Sequence, residues 1–225
     1  MRGSQRAGFV ILALLGALAG CGGGASRVPR VEGSVDAWPS MEVLPSPDRA
    51  IESLSERMRF AYLLTEQSFE LDPPLAPLRP TVAQLQEWSD GELSAWIERK
   101  NQLVEAARAE LDLAAEESHR QRIMAGALVG LMYEDVARVI LSVPVPAELL
   151  SDPEIAEVFR DIIDYQASTY LGHARNAYRA CNRNAVRPQS MRHWAGFCSG
   201  RLDLLPSSRR LGSGDSTTRV EVIVE

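Results

Sequence analysis

This chain of 225 residues contains three cysteines. The chemistry of cysteine depends on the compartment in which a protein resides. The first, Cys21, follows a segment that begins with Arg2 and Arg6 and continues as the unbroken apolar stretch Phe9–Ala19. A positive start, an apolar stretch and small residues before a cleavage point are typical of an export signal. The apolar stretch is much shorter than the about 20 residues that a membrane-spanning helix needs. We therefore expect residues 1–20 to be a cleaved signal peptide.

The end of this segment, Leu18-Ala19-Gly20-Cys21, resembles the lipobox of bacterial lipoproteins. The resemblance implies that the Cys21 thiol receives a diacylglycerol, that cleavage follows before Cys21, and that the freed amine is then acylated. Several acyl chains hold a protein on a membrane more durably than one. Gly22 stands where many lipoproteins retained in the inner membrane have an aspartate, which favours an outer-membrane lipoprotein facing the periplasm. An ordinary secretory signal followed by a chance cysteine is the alternative.

With Cys21 assigned to lipid, Cys181 and Cys198 remain as a pair in a compartment that permits oxidation. Their midpoint lies near Gln189, where Arg187-Pro188 indicates a turn between two helices. An antiparallel hairpin would set the two cysteines opposite each other, so we predict a disulfide. Two buried thiols are the alternative, because free cysteine packs as a small apolar side chain.

A run of arginines is the most distinctive charge pattern of the chain. Its members recur every four residues, which places them on one face of a helix: Arg175, Arg179, Arg183 and Arg187. Arginine binds carboxylates and phosphates through two parallel hydrogen bonds, so this face would suit an acidic protein partner, anionic lipid or a cell-wall polymer. The alternative is a solvated face that is balanced internally by nearby acidic helices and by four acidic residues of the same helix, Glu154, Glu157, Asp161 and Asp164.

Catalytic and metal-binding patterns are incomplete. Glu116 and His119 have the Glu-x-x-His spacing of di-iron bundles, but those sites need a second such motif and two further carboxylates. His173 and His193 are candidates to approach each other across the last hairpin, yet no third ligand is evident, and histidines of the surface or the core are the alternative. The sequence lacks the serine-hydrolase, phosphate-loop and zinc-protease motifs. We expect no enzyme activity, metal or cofactor, and a divergent hydrolase is an alternative.

Composition divides the chain after the signal into three parts. Residues 21–48 are rich in Gly, Pro and Ser, which is typical of a flexible tether. Residues 49–205 show helical periodicity and are long enough for a hydrophobic core, and residues 206–225 form a polar tail that we expect to be disordered. Because the formal net charge is −6 and becomes more negative when the signal is removed, we expect no nucleic-acid partner.

Helix starts and apolar periods predict an all-α fold of helical hairpins or an irregular bundle. Ser46-Pro47 predicts the first helix start. Thr81 with Gln84, and Ser89 with Glu92, each fit a capping box, and Asp152-Pro153 predicts a long helix to about Ala185. Its apolar stripe is expected to comprise Ile155, Val158, Phe159, Ile162, Ile163, Tyr170 and Tyr178.

Two central segments carry the predicted core. The seam along residues 93–114 is interrupted by Lys100 and Glu110, which favours a hairpin arm over a coiled coil. Residues 123–133 are almost wholly apolar and should form the most buried helix. Gly126 and Gly130 each cost about 1 kcal/mol of helix propensity relative to alanine, so close helix packing is expected there.

A second resemblance is carried by Gly130–Ala137, by Val143–Pro146, and by the aromatic residues Tyr178 and Trp194 near the two cysteines. Through these residues, positions 130–205 resemble the terminal helical segment of tetratricopeptide-like proteins of myxobacteria. The resemblance corresponds to one or two degenerate tetratricopeptide units. Because such proteins resemble scaffolds of envelope complexes, the resemblance implies a non-catalytic interaction module with an envelope protein as partner. A small-ligand or cell-wall-polymer binder is the alternative, and it would need a deep pocket with converging polar groups.

Overall fold

Helices joined by short turns make up the part of the chain that the computed structural model describes, residues 39–45, 50–187 and 189–206. The signal peptide, Cys21, most of the tether, Ser46-Pro47 and the tail after residue 206 lie outside the described residues. The α-helices are α1 (Glu56–Glu70), α2 (Val82–Trp88), α3 (Ser94–Glu117), α4 (His119–Leu141), α5 (Pro153–Ala185) and α6 (Arg192–Leu204). The described ranges contain no β-strand, and the predicted all-α fold is confirmed.

Each long helix packs antiparallel on the one before it. At one end of the α1–α3 pair the Trp96 indole donates to the Leu71 carbonyl over 3.0 Å, and at the other Arg57 pairs with Glu110 at 3.1 Å. The turn between α3 and α4 is a single extended residue, Ser118, whose side chain accepts from the amide of Gln121. Helices α4, α5 and α6 continue the pattern, so the fold is a series of helical hairpins.

Helix α4 is the central element, as its sequence predicts. Almost all its residues from Ile123 to Ile140 are buried, between α3 on one side and α5 on the other. Gly126 and Gly130 allow α5 to approach closely: a Cβ on Gly126 would lie 3.1 Å from the backbone of Cys181, and one on Gly130 only 2.5 Å from the Tyr178 ring. The predicted glycine-mediated packing is therefore present, and alanine at residue 130 would be strongly crowded.

Two of the predicted helix starts are wrong. Helix α1 begins at the cap residue Ser55, which accepts from the amide of Met58, after a short 3-10 turn at Ile51–Ser53. Thr81 and Gln84 do form a capping box, whereas Ser89 has helical backbone angles and no capping hydrogen bond. Helices α2 and α3 instead join through one π-helical turn, Ser89–Leu93, because the chain continues without leaving helical conformation.

Helix α5 has the predicted limits but not the whole predicted stripe. Asp152 caps it by accepting from the amides of Glu154 and Ile155, Pro153 occupies the first turn, and the helix ends at Ala185. Phe159, Ile163 and Tyr178 are buried as predicted. Ile155 and Val158 are exposed instead, because the buried face follows Ala156, Phe159, Ile163, Ala167 and Leu171.

The start of α1, the α3–α4 turn and the end of α5 lie at the same end of the bundle. The Gln121 side chain donates to the Ser55 hydroxyl, and a ring nitrogen of His119 lies 2.9 Å from the Asn184 carbonyl oxygen. Helix α1 begins at this end of the bundle, which we call the tether end. The end of α5 therefore lies at the same end of the bundle as the start of α1.

Candidate functional site

The candidate site is the arginine face, which we define as Arg175, Arg179, Arg183 and Arg187. Ala174, Tyr178 and Cys181 are buried on α5, which turns the neighbouring arginines away from the core. Arg179 and Arg183 are exposed. Arg175 is half-buried, and its guanidinium donates to the Pro206 carbonyl. Burial and the charge of Arg179 lower the pKa of Arg175.

The fourth arginine does not lie on the helix. Helix α5 ends at Ala185, so Arg187 lies in the following bend, where it is exposed. The prediction of four guanidinium groups on one helix face is therefore wrong in its last member: three lie on α5 and one follows its end. Arg175, Arg179 and Arg183 lie in the half of α5 that leads to the tether end, and Arg187 follows directly after that half.

The acidic residues of α5 do not balance the arginine face by direct contact. Among the ion pairs between described residues, none involves Arg179, Arg183 or Arg187. Asp164 is the nearest of the four acidic residues along the helix, and a rise of 1.5 Å per residue puts it about 16 Å from Arg175. Acidic residues near the start of a helix and arginines near its end do complement the helix dipole, so the charge order also stabilises α5.

The predicted disulfide is present. Cys181 on α5 and Cys198 on α6 are bonded, with their Cα atoms 6.2 Å apart, and both side chains are fully buried. The turn between them includes a 3-10 segment, Gln189–Met191, close to the predicted midpoint. The bond joins the last helix to the end of α5 that carries the arginine face.

A buried ionic cluster around Glu134 on α4 was not predicted. Glu134 is fully buried and accepts from Arg201 Nη2 at 2.6 Å, from Arg138 Nε at 2.9 Å and from the Tyr178 hydroxyl at 2.7 Å. Burial and the Glu134 carboxylate raise the pKa of Tyr178. The cluster joins α4, α5 and α6. Its sequence signal is the acidic pair Glu134-Asp135 in an otherwise apolar helix.

The second member of that acidic pair explains the interruption in the predicted α3 seam. Asp135 pairs with Lys100 at 2.6 Å, and both are buried. The Lys100 ammonium also donates to the Ser68 carbonyl and lies 4.9 Å from the centre of the Phe69 ring. Burial lowers the pKa of Lys100, although the charge of Asp135 opposes this. Lys100 thus belongs to the core and links α1, α3 and α4.

The histidines do not assemble into a site. His173 stacks on Tyr133 of α4 with ring centres 4.8 Å apart, whereas His193 lies at the start of α6 near Trp194. Since Cys181 faces Cys198, His193 falls opposite residue 186, about 20 Å along α5 from His173. The two histidines therefore do not approach each other, and both are exposed. In the described ranges, no three His, Cys, Asp or Glu side chains are placed to hold a metal ion.

An open cleft lies beside the start of α1, with a volume of about 450 Å³. Its lining includes Phe60, Arg57, Glu110 and Glu117. Arg57 already pairs with Glu110 at 3.1 Å and with Glu117 at 3.4 Å, so its cation is engaged within the bundle. The cleft is wide and shallow rather than the deep pocket that a small-ligand binder would need.

None of the helices in the described ranges is long and apolar enough to cross a membrane. Comparison of the chain with protein-family models, with curated proteins and with solved structures gives no match.

Proposed function

We propose that this chain is a lipoprotein, anchored through Cys21 to the outer membrane and facing the periplasm, that binds envelope proteins as a non-catalytic interaction module. The arginine face is its contact surface. The observation that carries this proposal is the exposure of Arg179 and Arg183 without an ion pair to any described residue. Buried cations of the same bundle, such as Lys100 and Arg201, are paired with carboxylates.

The chemistry of this face favours an acidic protein. Guanidinium groups bind carboxylates through two parallel hydrogen bonds and are less strongly hydrated than ammonium groups. Arg179 and Arg183 are one helical turn apart on a helix that is held by the disulfide and by close packing on α4. The helix backbone that carries these side chains is already ordered, so docking costs only the conformational entropy of the side chains, which favours binding.

The position of the tether supports an orientation. Residues 22–38 would connect Cys21 to the segment of residues 41–44, which packs against the core, and a flexible segment of 17 residues has a root-mean-square reach of about 23 Å. The bundle would then stand away from the lipid surface with the arginine face close enough to contact other envelope proteins.

The anchor is tested by Cys21→Ser. We expect the variant to leave the detergent-rich phase and the membrane fraction, because the acyl chains are the only attachment that the proposal includes. Membrane partitioning that is unchanged by the substitution would contradict the anchor.

The contact surface is tested by crosslinking the lipidated protein in its native envelope, followed by pull-down. The variant Arg179→Glu/Arg183→Glu should lose its main crosslinked partner. The matched control is Arg59→Glu/Arg99→Glu, which makes the same charge change at exposed arginines of α1 and α3. A partner set that both variants retain, or that both lose, would contradict a specific role for the arginine face.

A further inference from the structure

The outer face of α5, the side turned away from α4, carries opposite charges in its two halves. Its positions follow helical spacing, in steps of three or four residues: Val158, Asp161, Tyr165, Thr169, Gly172, Asn176, Arg179 and Arg183. The first part of this face carries acidic and apolar side chains, the middle carries small side chains, and the last part carries basic side chains. A Cβ on Gly172 would meet no atom within 4 Å, so the middle of the face is open to a close neighbour.

Exposed apolar side chains accompany the charges. Val158 is 42% exposed and Tyr165 is 62% exposed, and Ile155 lies one turn before them at 37%. Tyrosine is enriched at protein interfaces because it supplies a large contact area with few rotatable bonds. The face therefore combines an apolar component with charges of both signs, as a protein interface does.

From this pattern we infer that a second copy of the chain packs antiparallel on the outer face of α5, with a two-fold axis close to residue 170. In this arrangement Asp161 of each copy lies opposite Arg179 of the other, and Glu157 lies opposite Arg183. Each contact occurs twice, as a two-fold interface requires. The inference rests on the proposed function and names the partner of its contact surface.

The same charges cannot pair within one chain. Asp161 and Arg179 are 18 positions apart on a continuous helix, which corresponds to about 27 Å. Glu157 does pair with Arg160 at 3.3 Å, but the two side chains are 51% and 35% exposed, and such surface pairs exchange partners at little cost. A charge swap between Asp161 and Arg179 therefore reports on contacts between copies and not on the fold of one copy.

Cysteine crosslinking tests the position of the axis. Thr169→Cys places a thiol next to the axis, offset from its counterpart by about 3 Å along the helix, within reach of a short bismaleimide. In the full-length lipidated protein in its own envelope, this variant should give a covalent dimer. The control Glu98→Cys, at an exposed position of α3, should not.

The charge swap tests the pairing. In detergent-purified protein carrying Thr169→Cys, either Asp161→Arg or Arg179→Asp should raise the concentration at which half the protein crosslinks by about thirtyfold, since the pair occurs twice. Combining both substitutions should restore the original concentration. Urea unfolding of each variant, at a protein concentration below that of dimer formation, should give an unchanged midpoint, which shows that the fold of one copy is intact.

The outcomes separate this inference from the proposed function. A Thr169→Cys adduct with a different protein, or no adduct while Arg179→Glu/Arg183→Glu still abolishes the pull-down, overturns the dimer but leaves the contact surface. A dimer that the charge swap does not restore overturns the antiparallel pairing. A dimer lost in both single variants and recovered in the swap supports the inference.

Discussion

Glu134→Gln should destabilise the protein by about 3 kcal/mol, because it removes the carboxylate that pairs with the buried guanidinium of Arg201. The Glu134 side chain is fully buried, and the side chain of Arg201 is 5% exposed, so water cannot replace the lost carboxylate. Arg138 is 16% exposed and regains hydration more easily. Loss of a partner from a buried ion pair costs about 3–5 kcal/mol, and the replacement amide still accepts from Tyr178, which favours the lower value.

Urea unfolding followed by helical circular dichroism measures this change. With a slope of about 2 kcal/mol per molar urea for a domain of this size, the midpoint should fall by about 1.5 M. The control is Glu134→Gln/Arg201→Met, which removes both charges and should be more stable than Glu134→Gln alone. A single variant that loses less than about 1 kcal/mol, or a double variant that is less stable still, would refute the role of this cluster.

Three further predictions concern the disulfide, the helix packing and a buried phenol. Replacing both Cys181 and Cys198 by alanine should lower the unfolding free energy by about 3 kcal/mol, as loop entropy predicts for a sequence separation of 17; an unchanged urea midpoint would contradict this. Gly130→Ala should lower the unfolding free energy by about 1–3 kcal/mol in the same assay, because the new methyl group would crowd the Tyr178 ring on α5. Gly200→Ala, whose methyl group would meet open space, should raise it by about 0.5–1 kcal/mol. Equal effects of the two substitutions would argue against the tight α4–α5 contact. Burial and Glu105 raise the pKa of Tyr133 to about 12, so the contribution of this phenol to stability is complete below pH 10 and is lost as the pH rises through about 12. Tyr133→Phe should therefore reduce the fall in unfolding free energy between pH 10 and pH 12. A slope of unfolding free energy against pH that is the same in the variant would contradict the shift.

The elements that follow from local chemistry were predictable. Asp152-Pro153 begins α5, and Thr81 with Gln84 begins α2, because capping depends on residues within one turn. The disulfide followed from the position of the turn midway between the two cysteines, together with the expected compartment. The buried character of α4 followed from its nearly continuous apolar sequence.

The errors arose where tertiary contacts decide between local alternatives. Ser89 and Glu92 have the residue types of a capping box, yet the preceding helix continues through this position. No separate helix begins here, so there are no free backbone amides for a cap to bond. Lys100 interrupts an apolar seam in sequence but is buried because Asp135 neutralises it on another helix. Ile155 and Val158 fit an apolar stripe, but α4 meets α5 along a different line. None of these pairings can be read from one segment alone.

The contact surface itself was only partly predictable. The four-residue spacing correctly placed Arg175, Arg179 and Arg183 on one helix, and Arg179 and Arg183 are exposed. The position of Arg187 beyond the helix end, and the two opposite halves of the outer face, required the limits of α5 and the identity of its buried side.

The most direct test of the central proposal is photo-crosslinking from the outer face of α5 in the lipidated protein in its native envelope. A photoreactive amino acid in place of Asn176, which is exposed one turn from Arg179, should give a defined protein adduct. The same amino acid in place of Glu98 on α3 serves as the control. The proposal predicts an adduct from position 176 that is absent at position 98. No adduct from position 176, or the same adducts from both positions, would contradict an interaction module that docks through this face.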